Sequence, residues 1–224
     1  MVSKGNSPAF RNSLLNLLVR MKSSGNNEKK VAVAKIIPRV AEAFKTFDDA
    51  FKGVLDLCKD CIDDENLETR NTIAERLIRV IKVAKPTHEK QLRALITLCL
   101  EKGPDFIRAQ TIPCILALTE IDKGSATALL KTAASLPDWR VRYAVCQNID
   151  KIGELFGPPV FASFLTKNYA DYLLDQNPDT RVASIECMPI VCKYIEQDTI
   201  ILHIIPCLSH VASDAEVSVI YLLT

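Results

Sequence analysis

A chain of 224 residues holds one or two ordinary domains or one short repeat array. Apolar residues make up 48%, aromatics 6%, and Gly occupies only 7 positions, a composition that favours helices packed through small aliphatic side chains. Net charge is +1, which excludes a strong whole-molecule attraction to polyanions, although residues 1–45 carry nine Lys/Arg against Glu28 and Glu42, a surplus of +7 that leaves −6 for the rest.

Apolar spacing is helical along the chain. Leu14, Leu15, Leu17, Leu18 and Met21 line a first helix, residues 23–27 interrupt it, and 31–44 form a second. The following pairs are 48–62 with 67–83, 87–101 with 105–119, 125–135 with 138–155, and 159–174 with 179–195. A last pair joins 199–212 to a helix that opens at Asp214 and runs to Thr224. Gly103-Pro104 is a stop signal between two of these helices. Pro38, Pro113 and Pro189 fall inside second helices, where proline bends a helix and suggests a curved stack. The last helix, with Val217, Val219, Ile220, Leu222 and Leu223, lacks the polar outer face of a capping repeat. It points either to a chain that continues or to a surface that meets another copy or a partner.

One frame recurs through these pairs. Lys30, Arg70, Arg108, Arg142 and Arg181 hold one position of it, with Ser218 in the sixth slot. A period of 34 to 40 residues marks a solenoid. The expected fold is therefore all-α, an α-α superhelix of about six antiparallel helix pairs forming one array. Its repeats are taken as 8–45, 48–85, 87–121, 124–156, 158–196 and 199–224. Asp105, Asp138, Asp179 and Asp214 each stand where a second helix starts, suited to accept from unpaired backbone N–H groups at the positive end of the dipole. The basic residue that follows is placed to reach an Asp of the adjoining repeat, so Arg70, Arg108, Arg142 and Arg181 are expected to form a structural ladder.

Little in the chain points to chemistry. The eight cysteines, at 58, 61, 99, 114, 146, 187, 192 and 207, sit nearly all in apolar helical text as small hydrophobes. Without a signal peptide this pattern suggests a reducing compartment, the cytoplasm or the nucleus. Cys58-Lys59-Asp60-Cys61 lacks a second ligand pair at a zinc spacing and is read as two packed thiols. His88, His203 and His210 have no nucleophile or orienting acid beside them and are read as surface or boundary residues. No Gly-rich phosphate loop is present, and no apolar run reaches the ~18 residues needed to span a bilayer. The expectation is a protein that is not an enzyme, holds no metal or cofactor, and binds neither nucleic acid nor membrane. The basic first repeat is read as a solvated helix face. Trp139, the only Trp, is weighed two ways: as a staple between repeats and as an exposed anchor for a partner, since Trp and Arg dominate interface hot spots.

The text Asp138-Trp139-Arg140-Val141-Arg142-Tyr143-Ala144-Val145 closely resembles a HEAT repeat of the scaffold (A, 65 kDa regulatory) subunit of type 2A protein phosphatase. So does Ile204-Ile205-Pro206-Cys207-Leu208, followed by Ser213-Asp214-Ala215 and Val217, with one repeat (177–184) between the two stretches. Residues 105–220 carry most of the resemblance, and 1–65 match as generic HEAT repeats. The family scaffold is non-catalytic. It holds a regulatory subunit on more N-terminal repeats and the catalytic subunit on its C-terminal ones, through the loops inside each helix pair. The resemblance implies partner-binding roles for Asp138, Trp139 and Arg140, for Pro104, Asp105 and Phe106 on the preceding loop, and for Pro178 and Asp179 on the next. The family has about fifteen repeats and this chain about six, and the stretch that docks the catalytic subunit has no counterpart, so a regulatory subunit is the expected partner and the catalytic subunit belongs to a longer form. The alternative is a generic HEAT adaptor of the nuclear-transport or vesicle-coat type. An iron-binding HEAT enzyme would need several His-Glu pairs, and only His88-Glu89 occurs. A helical-repeat DNA glycosylase would need a basic groove, and repeats two to six are net acidic.

Overall fold

The computed structural model describes residues 7–213. Ser218, Asp214 and the apolar run Val217–Leu223 singled out above lie outside the described residues. Among the described residues every regular element is helical, and the architecture is an all-α array of helix pairs. None of these helices is long and apolar enough to cross a membrane. The chain divides within the helix α6 (Asp105–Leu118) into two compact units, the first made of residues 1–107 and 120–122 and the second of 108–119 and 123–224.

In the first unit α1 (Pro8–Lys22), α3 (Asp48–Ile62) and α5 (Glu89–Lys102) form one layer, and α2 (Asn27–Phe44) and α4 (Leu67–Ile81) form the other. The broadest contact runs between α2 and α4, second helices of successive pairs. The core of this unit includes Val33 and Ile37 of α2, Phe51 and Val54 of α3, and Ile73 and Leu77 of α4, all essentially inaccessible. Removing such side chains from water is the main stabilising term, about 1.5–3 kcal/mol for each large one. On α1 only Leu18 is buried, while Leu17 is 53% exposed, so the apolar set of that helix is wider than the face it buries.

In the second unit α7 (Lys123–Ala134) and α11 (Thr166–Leu173) belong to one layer, with α14 (Ile205–Val211) against α11. The second layer is α8 (Trp139–Gln147), α9 (Ile149–Phe156) and α12 (Pro178–Val191). The expected single helix over 138–155 is two: Asn148 gives its Nδ2–H to the Ala144 carbonyl (2.8 Å) and interrupts the backbone ladder. The first helices of pairs five and six each contain one π-helical turn. In pair five, α10 (Pro158–Val160) passes through Phe161–Leu165 into α11, and the Thr166 hydroxyl donates to the Phe161 carbonyl (2.7 Å). In pair six, α13 (Gln197–Thr199) passes through Ile200–Ile204 into α14. There the Ile205 N–H bonds to the Ile200 carbonyl, and Pro206, the next residue, has no N–H to restore the α register. Pro38, Pro113 and Pro189 do lie inside α2, α6 (Asp105–Leu118) and α12.

Candidate functional site

Several of the described helices open on the same capping scheme, at the start of α1 and in the loops inside pairs one, two, four and five. Ser7, Asn26, Asn66, Asp138 and Asn177 precede helices and accept from backbone N–H groups two or three residues on. Satisfying one orphan donor in this way is worth about 1 kcal/mol per helix. Asp138 caps α8 as expected, taking the Arg140 N–H at 3.0 Å. Asp179 does not cap. Asn177 holds that place, with the Thr180 N–H on its Oδ1 (3.2 Å), and Asp179 sits in the first turn as an exposed carboxylate. Asp105 likewise occupies the first turn of α6, where the dipole favours a negative charge.

Of the four arginines expected to form a ladder, Arg142 makes an ion pair to the next helix pair, Lys30 makes a matching one in the first unit, and neither acid is one that opens a second helix. Arg142 pairs through Nε with Asp175, and Lys30 pairs with Asp64 at 3.2 Å. Both acids lie six residues before the next basic anchor, in matching text: Asp64-Glu65-Asn66-Leu67-Glu68-Thr69-Arg70 and Asp175-Gln176-Asn177-Pro178-Asp179-Thr180-Arg181. Both also accept the backbone N–H two residues on, from Asn66 and Asn177, each at 2.8 Å. A single buried carboxylate thus fixes the loop that precedes its own helix and the anchor of the preceding pair. Lys22 adds a second cation to Asp64 at 2.8 Å. Burial alone would raise the Asp64 carboxyl. The Lys22 ammonium, the Asn66 N–H and the Lys30 ammonium outweigh it and hold the group below its ordinary value.

The anchors also hold their own loops. Arg181 donates from Nη1 to the Asp175 carbonyl (2.8 Å), and Arg142 donates from Nη1 to the Leu136 carbonyl (3.4 Å). Arg108 lies part-buried on α6, in the stretch that belongs to the second unit. Arg70 is different: among the described residues its guanidinium forms no ion pair, and its Nε is buried without an acceptor.

The loops present apolar and charged tips. Trp139 is half-buried, and the exposed Arg140 guanidinium stands over its ring at 4.5 Å, a cation–π arrangement. The Trp139 carbonyl accepts from the Thr180 hydroxyl (3.3 Å), which ties this tip to the turn that carries the half-buried Pro178 and the exposed Asp179. A cleft of about 430 Å³ opens between the same two loops, lined by Pro137, Arg142, Asp171, Leu174, Asp175 and Gln176. The expected residues 138–140 and 178–179 are therefore brought together. Pro104, Asp105 and Phe106 belong to the first unit, where Phe106 is 39% exposed at the loop tip. Gly103 is required beside it, because a Cβ there would come within 2.3 Å of the Cys99 carbonyl oxygen.

Among the described residues no group of three or more His, Cys, Asp or Glu is arranged to hold a metal ion. Seven cysteines are buried and Cys192 is exposed. Burial pushes the Cys61 and Cys99 thiols up to about 12, away from nucleophilic character. His88 is a correction to the sequence reading. It is 1% exposed, stacked on Phe51 with ring centroids 4.6 Å apart, and accepts the Lys85 N–H at Nδ1 (3.2 Å). Burial, with the Lys85 and Lys52 charges, lowers its proton affinity against the opposing pull of Asp48. His203 and His210 are exposed, as expected.

No family model matches the chain, and no curated protein matches it. Among solved structures, an engineered protein determined by crystallography within a structural genomics programme aligns over 93% of this chain and 92% of its own, with a TM-score of 0.54 and 11% sequence identity. That likeness is one of fold alone.

Proposed function

We propose that this chain is a non-catalytic helical-repeat scaffold that binds a regulatory subunit of a type 2A-like protein phosphatase through the loops inside its helix pairs. The observation that carries the reading is the tip formed by Trp139 and Arg140, with a half-open indole under a guanidinium and tied through its carbonyl to Thr180. Trp and Arg supply a large share of interface hot spots, and a rim already fixed by buried ion pairs loses little entropy on docking. The similarity of residues 138–145 to the HEAT repeats of that phosphatase scaffold names the partner class. Asp138, Pro178 and Asp179 flank the tip, and Pro104, Asp105 and Phe106 form the corresponding tip of the first unit. The catalytic subunit would join only in a longer form.

The test is affinity for a purified type 2A regulatory subunit, measured with the native chain and with Trp139→Ala. Binding that the variant loses supports the reading. Absence of binding to any such subunit contradicts it and leaves the generic adaptor as the better description of the same loops.

A further inference from the structure

Two rungs carry an internal acid at one frame position, and the rungs that end at Arg108 and Arg142 do not, with Lys102 and Leu136 there. Asp64 stands 34 residues after Lys30, and Asp175 stands 33 after Arg142, each six residues before the next anchor. The same frame position between Arg70 and Arg108 is Lys102. Its side chain is 66% exposed and reaches Asp63 at 4.0 Å, so the loop carrying it does adjoin the preceding one. Of the two rungs without an acid, this one places a cation where Asp64 and Asp175 place a carboxylate. Arg70 is left with its Nε buried and unpaired, and Asn71, the next residue, buries an unpartnered Oδ1. An unsatisfied buried donor on a charged group costs on the order of 1–3 kcal/mol, which any incoming acceptor would recover.

We infer that Arg70 is a binding site for a single carboxylate side chain on a protein partner, which completes the ladder from outside. The surroundings restrict that partner. Asp63, Glu65 and Glu68 are exposed around the same loop and repel a polyacidic segment. The site therefore selects one Asp or Glu flanked by Lys or Arg: the carboxylate reaches Arg70 and the cations meet the acidic rim. A peptide also brings backbone N–H groups, one of which can satisfy Asn71 Oδ1. The inference stands on the ladder geometry and does not depend on the phosphatase reading.

The experiment compares a labelled peptide containing Lys-Asp-Lys with the same peptide containing Lys-Asn-Lys, by fluorescence polarisation against the full chain. The native chain should prefer the Asp peptide by about tenfold, the scale of one charge-assisted hydrogen bond. Arg70→Gln should erase that preference. Lys102→Asp should erase it too and raise the melting temperature, because the rung is then filled internally. Lys35→Asp, the same charge change on the exposed face of α2, should leave the preference intact. Equal binding of the two peptides by the native chain, a preference that survives Arg70→Gln, or a Lys102→Asp chain of lower melting temperature would each overturn the assignment.

Discussion

Arg142 on α8 donates from Nε to Asp175, a carboxylate only 2% exposed in the loop that opens α12, and this pair couples one helix pair to the next. Asp175 also holds the Asn177 N–H, so the cap of α12 and the coupling between pairs share one group. In a repeat array stability is largely the sum of such neighbour terms. Replacing Asp175 by Ala should therefore cost about 3 kcal/mol, the scale for leaving a partly buried charge without its partner. A double variant with Arg142→Met should recover part of that loss. Urea unfolding of the four chains gives the coupling, and additive single effects would show that the pair is incidental.

Trp139 should matter more for binding than for folding. Its ring is half-buried, whereas Phe161 in the core of the same unit is inaccessible. Trp139→Ala should lower affinity for a regulatory subunit tenfold or more, about 1.4 kcal/mol or greater. Its urea midpoint should fall far less than that of Phe161→Ala, for which about 3–5 kcal/mol is expected. A collapse of the fold on Trp139→Ala would make the ring a staple and remove the docking role.

Acid should weaken the first unit through His88. Its folded proton affinity lies below the ordinary His value of 6.5. Above 6.5 both the folded and the unfolded chain hold it neutral, and it costs nothing. As pH falls below 6.5 the unfolded chain takes the proton first, so stability declines until the lower folded value is passed. His88→Leu should flatten the stability profile just below the ordinary His value of 6.5. A native profile already flat there would contradict the buried, neutral assignment. Asp64 adds a second loss at lower pH, below its ordinary 3.8, as the carboxylate held by Lys22 and Lys30 is protonated.

Thiol chemistry should be confined to one position. Cys192 alone of the eight is exposed, and burial raises Cys58, Cys61 and Cys99. A disulfide reagent should modify Cys192 in the native chain and reach the others only on unfolding. Rapid modification of Cys58 or Cys61 would show that the CxxC is not a packed pair.

The helix pairs and the basic anchors were legible because a 3.6-residue apolar period and a 34-to-40-residue frame are long-range patterns, robust to local detail. The true acids of the ladder were harder to see. Asp64 sits in the acidic run Asp63-Asp64-Glu65, and Asp175 precedes the helix by three residues, so neither stands at the helix start where Asp105, Asp138 and Asp179 draw attention. The shared spacing Asp-x-Asn-x-acid-Thr-Arg in 64–70 and 175–181 was the signal that could have found them. The break at Asn148 and the π turns depend on which donor a given carbonyl meets, through Asn148 Nδ2, Thr166 Oγ1 and the missing N–H of Pro206, and periodicity is blind to that. His88 was misjudged because a polar residue beside Pro86 reads as surface text, whereas the ring stacks on Phe51 and accepts the Lys85 N–H at Nδ1, with Nε2 buried and unpartnered.

Docking of a phosphatase regulatory subunit on these loops is decided by a pull-down from source-cell lysate, with the native chain and Trp139→Ala as parallel baits read by mass spectrometry. The native bait should recover a type 2A regulatory subunit that the variant loses. Recovery of transport or coat proteins with no phosphatase component would contradict that docking.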